Sequence, residues 1–274
     1  YQFYWSFHHL LTDGWSLPIV LKEVFTLYEA NIANMPLQLP PARPYQEYIK
    51  WLQAQDMDKA KEFWRELLKD YSAPIQLMSD RVSAAELEGK PEYQKLKHEC
   101  SPELSKRLTE FTRQQHITMN TLVQGAWAYL LHRYSGEKDI VFGATVSGRP
   151  PALPDVERMV GLFINTLPIR LQIDSEKNVS EWLKSLQAQA FSMREYEYTP
   201  LVEIHGVTQV PRDQALFNSI VVFENYPVDR SMQEQQASLK FLDFQSFERT
   251  NYPLTLVVGH TDTLVLEIAY ESKR

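Results

Sequence analysis

Cysteine is almost missing: Cys100 is the only one in 274 residues. No disulfide can form within the chain, and this usage fits a reducing cytoplasm. Long apolar runs are missing too, since none reaches the roughly 18 residues a membrane span needs. No signal or transit pattern opens the chain. Positive charge is in deficit, with 28 Lys and Arg against 35 Asp and Glu. The resulting formal charge of −7 speaks against nucleic acid or an anionic membrane as partner. The Gly-rich turns of a dinucleotide-binding fold are absent, and so are repeats and low-complexity tracts. What is present is the make-up of a globular protein, 44% hydrophobic and long enough for a sizeable core. Tyr1 stands where an initiator methionine would, and both ends of the chain lie in strand-like runs. The sequence therefore reads as part of a longer polypeptide.

Residues 1–9 alternate strictly, with Tyr1, Phe3, Trp5 and Phe7 on one side and Gln2, Tyr4, Ser6 and His8 on the other. That pattern predicts a strand. Ser16 predicts an N-cap, with Pro18 in the first turn of a helix that continues through Leu21, Val24 and Tyr28. A second amphipathic helix is predicted over 58–69. Residues 70–92 mix polar residues with Pro and Gly and read as a linker, dividing the chain into 1–78 and 79–274. Beyond it, "YQKLKHEC" reads as a strand. A helix capped by Ser101 starts at Pro102, and another over 119–134 ends at Gly136. "DIVFGATVS" and "NTLPIRLQI" predict strands, and "NVSEWLKSLQAQAFSMREY" a helix capped by Asn178. Further strands are predicted at 217–224, 239–247, 254–259 and 263–270. The alternation of helices and strands predicts a mixed α/β sandwich.

The chemistry-bearing stretch is "YQFYWSFHHLLTDGWSLPIV", residues 1–20. Neighbours on a strand face opposite ways, so His8 and His9 cannot easily share a metal. With no Cys or third His near, no metal is expected, since metal sites want three or four converging ligands. Parity puts His9 with Trp5 and Phe7, where the plain reading is a core histidine bonded to a backbone carbonyl. Asp13 and Gly14 change that weighing. They follow within one tight turn, before a helix start, so the carboxylate can brace a turn that returns towards His9. An imidazole in such a place suits general-base work near neutral pH.

"HHLLTDG" at 8–14 resembles the HHxxxDG signature of condensation domains in nonribosomal peptide synthetases, within the wider chloramphenicol-acetyltransferase-like superfamily. Further matches follow in order. "YQEYIKW" (45–51) is similar to that family's YxDYxxW, with Glu47 at the acidic place. "VGLFINTLPIR" (160–170) matches GxFxNTxxxR through Gly161, Phe163, Asn165, Thr166 and Arg170. "VPRDQALFNSIVVFEN" (210–225) resembles the late RDxxxxPLF…QN element. One departure stands out: "REYEYTPL" (194–201) lacks the His-Gln-Asp element often found before the proline matched by Pro200.

The resemblance implies a two-lobed α/β sandwich in which 1–78 is the later part of an incomplete N-terminal lobe, with the HHxxxDG motif, and 79–274 is the C-terminal lobe. It implies a channel between lobes with His9 near its middle. It also implies donor and acceptor thioesters on the phosphopantetheine arms of upstream and downstream carrier proteins, an adjacent adenylation domain, and no cofactor bound directly. The acceptor amine attacks the donor carbonyl, with His9 serving as base or as positioning group. His8 becomes a scaffold residue, and Asp13 a structural acid paired with an arginine, Arg149 first and Arg170 second. Gly14 would permit a backbone conformation or close approach that a side chain blocks, and Trp15 would pack under the turn. Asn165 and Asn218 are candidates for lining the channel, and "VFENYP" and the Pro151–Pro154 loop for covering it. Two alternatives remain at this stage. An epimerisation domain shares HHxxxDG but wants an acid near the histidine; a degenerate, partner-recruiting domain usually loses the histidine or aspartate. If 1–70 begins partway through a sheet, the 274 residues alone are expected to aggregate and to be inactive.

Overall fold

The computed structural model describes residues 2–76, 93–224 and 249–271. By its contacts the described chain forms two compact units. The larger takes in 56–76, 93–146, 165–224 and 249–271; the smaller takes in 2–55 and 147–164.

The larger unit is built on a mixed six-stranded sheet. Its strands are β1 (Tyr93–Glu99), β2 (Asp139–Val146), β3 (Asn165–Gln172), β4 (Ser219–Glu224), β5 (Leu254–His260) and β6 (Leu264–Glu271). Their order across the sheet is β1-β6-β5-β4-β2-β3. β4 runs parallel to β2 and β5, and the outer pairings are antiparallel. Ile140 to Ala144 of β2 are buried consecutively rather than alternately, as happens when both faces of a strand are covered. Five helices complete this unit: α3 (Met57–Leu67), α4 (Pro102–Gln115), α5 (Met119–Ser135), α6 (Val179–Met193) and α7 (Leu201–His205). Its core joins Trp64 of α3 and Trp127 of α5 to Phe142, Leu167, Phe217 and Val258. Each fully buried side chain of that size contributes about 1.5–3 kcal/mol.

Local chemistry sets the helix ends. Asp56, Ser101, Thr118 and Asn178 each accept a backbone N–H of the first turn. α4 stops at His116 and α5 at Gly136, both left-handed, with φ of 57° and 79°. The caps at Ser101 and Asn178 and the stop at Gly136 are where the sequence predicts them. α7 is not among the predicted helices; it is one short turn after Pro200, without a side-chain cap.

The smaller unit holds α1 (Leu17–Ile32), α2 (Gln46–Gln53) and the segment 147–164 that follows β2 and precedes β3. Its core is Tyr48, Leu153, Val156, Met159 and Phe163. Two expectations fail here. Residues 2–8 form no strand and lie exposed, with Phe3 at 85%. Alternation defines two faces but supplies no hydrogen-bonding partner, and no described strand pairs with this run. Ser16 precedes α1 but does not cap it; it is already helical, at φ −80° and ψ −29°, and its hydroxyl bonds elsewhere. The predicted strand at 239–247, most of the linker at 70–92 and the end of "VFENYP" lie outside the described residues. The boundary near 78 falls in the same gap, and the compact units are drawn along a different line.

Candidate active site

The HHLLTDG stretch is a turn leading into an anchored loop. Leu11 N–H donates to the His8 carbonyl at 2.9 Å, and Leu10 N–H to His8 Nδ1 at 3.1 Å. His8 thus bonds to the turn through both its carbonyl and its ring. His9 sits within that turn, exposed, and makes no hydrogen bond to any other described residue. The strand parity that placed it beside Trp5 and Phe7 on an apolar face does not apply, because the chain is not extended there.

Four residues on, the chain is fixed. The Asp13 carboxylate is buried and fully engaged. Oδ1 accepts from Ser16 N–H at 3.0 Å and Ser16 Oγ at 2.8 Å, with Arg149 Nη2 at 3.5 Å. Oδ2 accepts from the backbone N–H of Phe163 at 2.9 Å and of Ile164 at 3.3 Å. Asp13 therefore joins the loop after His9 to the segment 161–164. It makes no bond to His9 itself.

Arg149 is buried against the same knot. Nη1 donates to the carbonyls of Val156 and, at 3.0 Å, Met159; Nη2 donates to Ser16 Oγ at 3.1 Å. The guanidinium carbon lies 4.1 Å from the centre of the Phe163 ring. Burial lowers the Arg149 pKa, and the nearby Asp13 charge opposes that shift. Nε finds no partner among the described residues. Arg170 is elsewhere: Nε and Nη2 grip Asp139 at 2.9 and 2.7 Å, and Nη1 donates to the carbonyls of Leu67 and Lys69. Of the two candidate arginines, the structure brings Arg149 to Asp13.

The YQEYIKW stretch completes the knot. Tyr45 and Tyr48 meet Phe163 at centroid distances of 5.1 and 4.6 Å, and Trp51 stacks on Tyr48 at 6.0 Å. Tyr45 donates its hydroxyl to the Leu162 carbonyl. Burial pushes the Tyr48 phenol up to about 12 and raises that of Tyr45, with the Asp13 charge adding to both, so both remain neutral phenols. Glu47, in the acidic place of YQEYIKW, pairs instead with Arg43, which also reaches Asp155 at 3.1 Å.

Gly148 and Gly161 are closely packed here. The described glycines with positive φ are Gly136 and Gly148, so Gly14 is not held left-handed. Gly148 has φ of 62°, and a Cβ there would lie 1.7 Å from the Phe163 carbonyl oxygen. A Cβ on Gly161 would lie 2.1 Å from the Tyr45 ring. Sequence reading missed Ser16 and Gly148 as parts of this knot, and the aromatic stripe of Tyr45, Tyr48 and Trp51. The stripe had a signal in its three-residue helical spacing; the choice of partner made by the Ser16 hydroxyl had none.

Asn165 and Asn218 are occupied in the larger unit. Asn165 Nδ2 donates to the carbonyls of Glu197 and Thr199 at 2.9 and 2.7 Å, and Oδ1 accepts from Thr166 N–H. Asn218 Nδ2 reaches the Ile75 carbonyl at 3.4 Å. Among the described residues no three His, Cys, Asp or Glu side chains gather as metal ligands, and no helix is long and apolar enough to cross a membrane.

A family model described as a condensation domain matches residues 1–274. The chain is 48% identical over 273 residues to a linear gramicidin synthase of Brevibacillus parabrevis, a match that takes in 100% of this chain and 5% of that protein. The X-domain from teicoplanin biosynthesis superposes with a TM-score of 0.76 at 20% identity, over 97% of this chain and 63% of that one. The first condensation domain of the calcium-dependent antibiotic synthetase, solved with a substrate analogue, gives 0.72 at 16% identity, over 96% and 59%. At those identities the two structures speak for fold alone, and the fold is the mixed α/β one.

Proposed function

Since the chain belongs to the condensation-domain family of nonribosomal peptide synthetases, we propose that it forms the peptide bond between two carrier-bound thioesters, with His9 as its catalytic residue. The acceptor's α-amine attacks the donor carbonyl, and the C–N bond forms as the C–S bond breaks. The proton lost by nitrogen passes by way of His9, and the donor's phosphopantetheine thiol leaves. Both substrates arrive on phosphopantetheine arms of carrier proteins, upstream for the donor and downstream for the acceptor, with an adenylation domain loading the acceptor. Thioesters are already activated, so holding two arms in place supplies much of the acceleration.

One observation carries this reading. Within HHLLTDG the ionisable groups other than His9 are committed to holding the loop: His8 binds Leu10, and Asp13 binds Ser16, Phe163 and Ile164. The His9 imidazole alone among them is exposed and has no hydrogen bond to another described residue, directly before the anchored loop. Burial of Asp13 makes the epimerisation alternative weaker, because the motif's own carboxylate is not available as the second acid.

The test is His9→Ala in the synthetase chain of which the domain forms part, with loaded carrier proteins and product followed as dipeptidyl thioester. The expected result is a loss of about 10²–10⁴-fold in amide formation without loss of fold. Synthesis at the wild-type rate would remove His9 from the chemistry.

A further inference from the structure

We infer that Ser16 is a positioning residue of this site: its hydroxyl, more than a direct ion pair, joins Asp13 to Arg149 and so fixes the loop that bears His9. This rests on the condensation reading above and deepens it. The distances give the route. Arg149 Nη2 lies 3.5 Å from Asp13 Oδ1 but 3.1 Å from Ser16 Oγ, which in turn lies 2.8 Å from the same carboxylate oxygen. Charge-assisted N–H···O contacts run at about 2.7–2.9 Å, so the direct contact is loose and the path through the hydroxyl is the tighter one.

The hydroxyl is filled to capacity. It has one hydrogen and two lone pairs. The lone pairs take Arg149 Nη2 and Gly161 N–H, the latter at 3.1 Å, and the hydrogen points to Asp13 Oδ1, with the Gly161 carbonyl at 3.0 Å as second acceptor. Ser16 is completely buried, so no water competes for these bonds. A serine before a helix usually gives its oxygen to the first turn; this one does not, and α1 starts without a side-chain cap. Its hydroxyl instead spans three separate stretches of chain: HHLLTDG through Asp13, SGRPP through Arg149, and VGLFIN through Gly161. Gly161 itself has no room for a Cβ, which would lie 2.1 Å from the Tyr45 ring.

Ser16→Ala tests this cleanly because it removes the link and leaves both charges in place. In the loaded synthetase chain, Ser16→Ala lowers kcat for amide formation by about ten- to a hundredfold, the weight of a lost hydrogen bond to a charged group. The KM for the acceptor carrier protein stays unchanged, and Ser16→Thr, which keeps the hydroxyl, regains most of the rate. His9→Ala runs beside it as reference. A folded Ser16→Ala at wild-type kcat beside a dead His9→Ala overturns the inference and leaves the condensation reading standing. Wild-type rates in both overturn the two together. A threonine variant that folds but is as slow as alanine also overturns the role of the hydroxyl. Should alanine fail to fold, Ser16→Cys, isosteric but a weak donor, takes its place, and wild-type kcat in it counts against the inference.

Discussion

At the scale of single residues, Asp13 and Arg149 show how a short motif divides its labour. A carboxylate that accepts from Ser16, Phe163 and Ile164 has no spare lone pair for proton transfer. It satisfies three backbone N–H groups, of Ser16, Phe163 and Ile164. Arg149 has side-chain exposure of 3% and Asp13 of 0%, so removing the acid strands a guanidinium out of water. Asp13→Ala is expected to cost the smaller unit about 3–5 kcal/mol of its own stability, read from the urea transition of that unit in the purified protein. Arg170→Ala breaks a different network, its grip on Asp139 and on the carbonyls of Leu67 and Lys69. The double variant Asp13→Ala/Arg170→Ala should therefore be additive within about 0.5 kcal/mol. Coupling well above that would mean the two arginines serve one anion.

At the scale of elements, backbone geometry does what side chains cannot. Gly136 and Gly148 share a left-handed φ, but a Cβ at Gly136 would meet open space, whereas at Gly148 it would meet the Phe163 carbonyl at 1.7 Å. Gly136→Ala is expected to cost about 1–2 kcal/mol from conformation alone. Gly148→Ala adds a steric clash to the same strain and should be clearly the worse, read as the difference in urea midpoint between the two variants. Equal midpoints would mean the 147–164 segment moves aside freely. The contrast also shows what a sequence discloses. α4, α5 and α6 were legible because caps such as Ser101 and Asn178 act within three residues of themselves. Residues 1–9 looked like a strand because period-2 alternation is local, but a ladder needs a partner that alternation does not name. Ser16 looked like a cap for the same reason: its position is local, and its true partners, Asp13 apart, lie more than 130 residues away.

At the scale of the whole chain, the order of motifs hides their meeting. HHLLTDG, YQEYIKW, SGRPP and VGLFIN are spread from residue 8 to 165, yet all but Asn165 come together in the smaller unit. That convergence was legible only through family resemblance, since nothing in the spacing of Asp13 and Arg149 announces contact. The larger unit keeps its own ladder, β2 to β3 in register from Asp139↔Gln172 to Val146↔Asn165, and its own core. Segments with separate cores and separate hydrogen-bond networks open with separate free energies. Hydrogen exchange on the folded protein should show this. The amides of Ser16, Phe163 and Ile164 donate to Asp13, while those of Ile220 to Val222 lie in β4 between two parallel neighbours. In Asp13→Ala the first set loses an anionic acceptor and should exchange about tenfold faster or more. The β4 amides depend on no atom of Asp13 and should keep their protection. If instead they accelerate by the same factor, the knot and the sheet open as a single cooperative unit, and the lost carboxylate weakens the fold everywhere rather than at the loop that carries His9.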